Sequence, residues 1–136
     1  MATYLLDTNA FSALMDANPR AEARVAQLRP SDLLVTCVIV RGEVLYGLER
    51  MAPGRRRQQF EASAASLFSR IPCEAVPAAA GAIYALIKRD AERQGTPIDD
   101  NDLWIAATCL RLGARLVTSD TDFQRIKNLP IEDWTR

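Results

Sequence analysis

Tyr4-Leu5-Leu6-Asp7-Thr8-Asn9 is a short apolar run that stops on an acid, and Leu116-Val117-Thr118-Ser119-Asp120 has the same shape near the other end of the chain. Each reads as a buried strand handing over to a turn, and Leu33 to Thr36 is a third such run. Between them lie stretches with helical spacing at Ala21 to Leu28, Val38 to Arg50, Arg56 to Phe68, Ala78 to Arg93 and Leu103 to Leu112. Strands alternating with helices predict an α/β fold whose central, mainly parallel sheet of about four or five strands carries helices on both faces. Ile71 to Val76, confined to an edge by Pro72, and Leu129 to Ile131 are the weaker strand candidates. Asn18-Pro19 opens one helix, Pro53-Gly54 separates two others, and Gly113 closes the helix that begins near Asp102.

A chain of 136 residues, 49% hydrophobic and 25% charged, fits one domain over residues 1–136 and has no room for a second. No apolar run approaches the roughly 20 residues of a membrane span. The amino terminus also lacks the features of a secretory signal, so the expected location is cytoplasmic. Cys37, Cys73 and Cys109 are odd in number, widely spaced and set among apolar neighbours, which suits buried small hydrophobes better than disulfides or a thiolate zinc site. The count that excludes most is 0 histidines: imidazole triads and histidine zinc sites are ruled out. A formal net charge of +0 argues against a uniformly basic nucleic-acid clamp and leaves local patches to be considered.

In an open parallel sheet the ligand crevice lies outside the carboxyl ends of the strands, so acids that follow strands meet there even when far apart in sequence. Asp7 follows the first strand, and Asp120 follows Leu116 to Thr118 after only Ser119. Glu43 falls in the early turns of the helix leaving the second strand, and Asp102 in the first turn of the helix leading to the Asp120 strand. Two carboxylates about 5 Å apart repel by roughly 3 kcal/mol at an effective dielectric of about 20, a penalty that a cation removes. With neither histidine nor clustered cysteine the ligands would be oxygens, which suits Mg²⁺ or Mn²⁺. Plainer roles exist for each acid. Asp7 suits a turn or helix cap, Asp99 to Asp102 an N-cap with first-turn charge, Glu43 a solvated helix face or a partner for Arg41, and Asp120 with Asp122 a turn. None of these explains why all of them fall at one end of the sheet.

Leu5-Leu6-Asp7-Thr8-Asn9, Gly42-Glu43-Val44-Leu45-Tyr46-Gly47, Asn101-Asp102-Leu103-Trp104-Ile105-Ala106-Ala107 and Val117-Thr118-Ser119-Asp120-Thr121-Asp122-Phe123 occur in that order. With these motifs the chain resembles the PIN-domain ribonucleases of the VapC toxin type over essentially its whole length. The resemblance implies a small PIN-like α/β fold and Mg²⁺- or Mn²⁺-dependent RNA cleavage. It also implies a homodimer and inhibition by a VapB-type antitoxin, with DNA contacted only indirectly through that antitoxin. By position it gives Asp7, Glu43, Asp102 and Asp120 as the catalytic and metal-binding acids, with Asp122 as an outer or alternative fourth acid. Thr8, Asn9, Thr118 and Ser119 are implied to shape the site. Arg41-Gly42 departs from the apolar or small residues usual before the glutamate, and Cys37 with Val38 replaces the hydroxyl residues often found at that helix start.

An acidic pocket repels a phosphate backbone, so basic residues must bring RNA in. The candidates are Arg50, Arg55, Arg56, Arg57, Lys88, Arg89 and Arg93, each of which also suits a solvated helix surface balanced by nearby acids. Leu45, Tyr46, Leu48, Ile83, Tyr84 and Ile87 are assigned first to core and secondly to a subunit interface. Two other classes compete with the nuclease. An Mg²⁺-dependent phosphotransfer domain would want a second carboxylate where Asn9 stands, and a non-catalytic RNA-binding or repression module would not need intact acids.

Overall fold

The computed structural model describes residues Met1 to Arg136. Its elements run β1 (Thr3–Leu6), α1 (Thr8–Met15), α2 (Pro19–Ala26), β2 (Leu33–Cys37), α3 (Val38–Glu49), α4 (Arg55–Arg70), β3 (Cys73–Glu74), α5 (Ala80–Arg93), α6 (Asp100–Leu112), β4 (Arg115–Val117) and β5 (Ile131–Glu132), with a 3₁₀ turn at Thr121–Arg125 before β5. The sheet has five strands in the order β3-β2-β1-β4-β5, and every pairing is parallel. The α/β expectation therefore holds, with the sheet wholly rather than mainly parallel.

Side chains alternate across a strand, so burial of neighbouring residues means that both faces are covered. Leu5 and Leu6 on β1, and Leu116 and Val117 on β4, are all 0% exposed. They anchor one continuous core with Phe11, Val40, Val44, Leu103, Ile105 and Phe123. Cys37 and Cys109 are buried and Cys73 is half-buried, all as free thiols, in keeping with the apolar role read from their neighbours.

The element boundaries follow local chemistry. Asn18 caps α2 by accepting from the amides of Arg20 and Ala21, Asp99 caps α6 by accepting from Asn101, and Gly113 ends α6 at φ 66, the left-handed region that favours glycine. Helix α1 is an addition to the elements expected from sequence: it starts one residue after β1, where Asp7-Thr8-Asn9 has the composition of a strand-end turn. Strand β3 shrinks to two residues at the sheet edge, beside Pro72 as its missing donor requires, and the final strand begins at Ile131 rather than Leu129.

What this topology does for function is decided at β1. The chain leaves β1 for β2 on one side and later fills β4 on the other, so the order reverses between β1 and β4. That is the switch point at which a crevice opens beyond the carboxyl ends. The Asp7 amide donates to the Val117 carbonyl at 3.1 Å, prolonging the β1–β4 pairing into the crevice.

Candidate active site

Asp7 is the most deeply set of the acids, 3% exposed at the end of β1. Its carboxylate caps α1, with Oδ1 accepting from the Ala10 amide at 2.8 Å, so the helix-cap role open to it from sequence is filled. Burial pushes the Asp7 carboxyl up to about 6 against the lowering influence of the Thr118 side chain and the Ala10 amide, with the charges of Asp120 and Glu43 adding to the rise. Asp102, half-buried in the first turn of α6, is pushed up to about 7, again first by burial and then by Asp120, Asp99, Glu43 and Asp7.

Glu43 and Asp120 complete the group from two further elements. The Thr8 hydroxyl donates to Glu43 Oε1, and Asn101 Nδ2 lies 3.4 Å from Oε2, so the glutamate on α3 is held from both α1 and α6. Thr118 Oγ1 accepts from the Asp120 amide at 2.9 Å in the turn after β4. Asp120 Oδ1 in turn accepts from the Asp122 amide at 2.9 Å. Asp122 itself is exposed, its carboxylate held by Arg125. Asn9 and Ser119 are exposed and their side chains make no hydrogen bond within the chain, unlike their neighbours Thr8 and Thr118. Asn101 contacts Glu43 although its Asn-Asp setting in sequence reads as helix-start chemistry alone.

No ion pair of the fold involves Asp7, Glu43, Asp102 or Asp120. Four carboxylates thus share one field with no internal cation to offset it, and the donor set is oxygen only. That chemistry fits a hard divalent ion. Burial pushes the Cys109 thiol up to about 12, and Cys37 upward as well, so neither supplies a thiolate. No three of the acids form a preassembled ligand cluster, so a cation here would need carboxylate adjustment or retained waters, and Mg²⁺ usually keeps several.

Comparison with known proteins agrees with this architecture. The PIN domain family matches residues 4–129. This chain belongs to the PIN-domain family, in its VapC branch. It is 36% identical over 136 residues to Ribonuclease VapC1 of Haemophilus influenzae (strain R2866), covering 98% of both chains. Among solved structures it superposes on VapBC-1 from nontypeable Haemophilus influenzae with TM-score 0.87 and 33% identity, covering 98% of this chain and 99% of that one. It matches VapBC2 from Rickettsia felis, a complex bound to a promoter DNA fragment, with TM-score 0.87 and 25% identity over 96% of this chain and 97% of the other.

Around the acids of this PIN domain the basic residues sort into engaged and free groups. Arg57 is spent on structure: it reaches Glu49 at 3.3 Å, Glu61 at 3.4 Å and the Met51 carbonyl at 3.2 Å. Lys88 lies 2.9 Å from Asp100 and 3.1 Å from the Tyr84 hydroxyl, contacts that hold its ammonium well above the usual lysine range. Arg89 pairs with Glu92, while Arg50 lies over the Tyr46 ring and Arg93 is exposed in the last turn of α5. Arg55 and Arg56 have no acidic partner. They line a groove of about 810 Å³ that also includes Thr8, Glu43, Met51 and Phe60.

The unusual residues around Glu43 leave α3 intact. Helix α3 runs without a break through Gly42, where a Cβ would meet open space, and Arg41 lies 4.6 Å from the Phe68 ring centroid. Cys37 at the helix start gives no side-chain cap, as a residue without a hydroxyl should not. Of the apolar residues assigned first to core, Leu48 is buried and Ile83, Tyr84 and Ile87 are half-buried, whereas Leu45 and Tyr46 are exposed at 44% and 65%.

Proposed function

We propose that this chain is the toxin of a type II toxin–antitoxin pair, a VapC-type endoribonuclease that hydrolyses RNA phosphodiesters at the Asp7, Glu43, Asp102 and Asp120 site with Mg²⁺ or Mn²⁺. The observation that carries the reading is the meeting of acids from four separate elements at the β1–β4 switch point with no cation of the fold paired to them. Asp7 and Asp102, the two carboxyls held furthest from their ordinary range, would be the direct ligands, with Glu43 and Asp120 completing the shell or binding through water. When bound, the ion supplies Lewis acidity, making water more acidic and offsetting charge on the phosphoryl oxygens. Thr8 and Asn101 hold the Glu43 carboxylate from α1 and α6, and the Thr118 hydroxyl holds the Asp120 turn.

The partner reading follows from the same family. A VapB-type antitoxin would inhibit the enzyme and carry any contact with operator DNA, and exposed Val38, Leu45 and Tyr46 on α3 with Leu86 on α5 offer apolar area for a homodimer. No helix is long and apolar enough to cross a membrane, and we assign the protein to the cytoplasm. Total RNA incubated with purified wild type and with Asp7→Asn, each with and without Mg²⁺ or Mn²⁺, tests the assignment once the cleaved ends are mapped. The expected result is discrete cleavage by wild type alone, abolished by EDTA; cleavage by a correctly folded Asp7→Asn protein would sink it.

A further inference from the structure

We infer that the groove between α1, α3 and the start of α4 holds a single-stranded nucleotide next to the scissile position, with Arg55 and Arg56 on its phosphate and Met51 and Phe60 against its base; this rests on the ribonuclease reading above. The groove is continuous with the acidic site, since Thr8 and Glu43 belong to its wall. Any strand laid across the acids must leave them along the surface, and this concavity of about 810 Å³ opens directly from Glu43.

Its lining combines the acids Glu43 and Asp16, the apolar Met15, Val44, Leu48, Met51 and Phe60, and the bases Arg55 and Arg56. Arg55 and Arg56 are unpaired, whereas the adjacent Arg57 is fully engaged by Glu49, Glu61 and the Met51 carbonyl. Arg56 lies 5.6 Å from the Phe60 centroid, so a cation and a half-buried ring are presented together. Unpaired guanidinium groups beside thioether and aromatic surface match the two parts of an unstacked nucleotide, a charged phosphate and a flat base. At the unpaired Arg55 and Arg56, charge complementarity therefore favours a nucleic acid as the occupant. A paired duplex keeps its bases stacked inside and cannot offer one to this floor.

The inference sorts the basic residues by role. Arg55 and Arg56 act on RNA, Arg57 fixes the α3–α4 corner, and Lys88 belongs to the Asp100 and Tyr84 cluster. Binding is to be measured by fluorescence anisotropy with a labelled single-stranded 12-nucleotide RNA of mixed sequence, in the Asp7→Asn background so that the probe stays intact. Replacing both arginines (Arg55→Gln with Arg56→Gln) should weaken affinity about 10-fold and reduce the magnitude of the slope of log affinity against log salt by about 1.4, the value for two lost single-strand contacts. Phe60→Leu should weaken affinity about 5-fold with the salt slope unchanged, because it removes a stacking surface and no charge. Arg111→Gln, at the far end of α6, should change neither quantity, and a duplex of the same sequence should be indifferent to Phe60→Leu.

Unchanged affinity and salt slope in the folded arginine double variant would overturn the inference, as would equal sensitivity of the duplex to Phe60→Leu. Retained RNA binding in a double variant that no longer copurifies with a VapB-type partner would reassign the groove to a protein segment and overturn it as well. These failures differ from failure of the ribonuclease reading, in which wild type would neither bind the probe nor cleave total RNA in an EDTA-sensitive way, and both proposals would fall together.

Discussion

Two clusters of charge lie on this small sheet, and they are built on opposite rules. At the β5 edge, Glu132 accepts from Arg24 at 2.7 Å and from the Trp134 indole at 3.1 Å, with Arg115 at 3.5 Å. Burial alone would raise its carboxyl, but these partners outweigh it and hold Glu132 below the usual range. At the β1–β4 crevice, burial and mutual repulsion win instead, and Asp7 and Asp102 sit at about 6 and about 7. The first cluster is closed by the fold and serves stability. The second is left open, and an assembly of acids that the fold does not neutralise is what a site for an external cation requires.

The largest expected effect comes from removing a member of the open cluster. Asp7→Asn should lower RNA cleavage by about 100-fold or more, yet stabilise the metal-free protein at neutral pH by up to about 3 kcal/mol, because asparagine keeps the α1 cap and loses the charge. The pH profile gives the sign. Between the unfolded value of 3.8 and the folded values of about 6 and about 7, the folded chain retains protons that the unfolded chain has lost, so metal-free stability should fall as pH rises through that window. Thermal melts from pH 4 to pH 8 should show this decline, a shallower decline in Asp7→Asn, and a gain on adding Mn²⁺ that grows toward pH 8. An identical slope in wild type and Asp7→Asn would erase the contrast between the clusters.

Thr8→Val is next in size. Freeing Glu43 from its α1 donor should raise the Mg²⁺ or Mn²⁺ concentration needed for half-maximal cleavage by about 10-fold, with little change in melting temperature. At the closed cluster the readouts exchange places. Glu132→Ala should cost about 1–2 kcal/mol in urea unfolding and leave cleavage within about twofold, because it strands Arg24 and Arg115 but keeps the backbone bond from the Thr118 amide to the residue-132 carbonyl. Glu132 also runs the opposite way with acid: the stability it contributes is present above its unfolded value of 4.5 and is lost as pH falls through its lowered folded value. The smallest effect belongs to Asp122→Asn, which breaks an exposed pair with Arg125 and should change cleavage by less than about twofold and stability by less than about 1 kcal/mol. A loss of activity comparable to that of Asp7→Asn would show that Asp122, and not Asp120 alone, belongs to the open cluster.

Much of this was legible in the chain. Apolar runs that each stop on a turn or a helical pattern fixed the parallel strands, and acids placed just after strands or in first helical turns can meet only at the carboxyl edge, whatever the loops do. The absence of histidine narrowed the donor chemistry to oxygen without any coordinates. Short elements were the weak point: α1 follows β1 after a single residue and opens on turn-like Asp7-Thr8-Asn9, and β3 is two residues long because Pro72 and the edge position leave it a single partner strand.

The sequence by itself determined the fold class, the family and the set of acids that topology could gather, because these depend on residue type and order along the chain. Only the tertiary structure decided how those residues are used. Asp120 and Asp122 are chemically alike and two positions apart, and the 3₁₀ turn with Arg125 separates them. Arg55, Arg56 and Arg57 are one unbroken run, and only the packing of α4 against the end of α3 engages the third and leaves the first two beside the groove. Asn101 reaches Glu43 across 58 positions of sequence. Such choices turn on which groups meet in space and which lose water as they do, and local pattern carries no record of either.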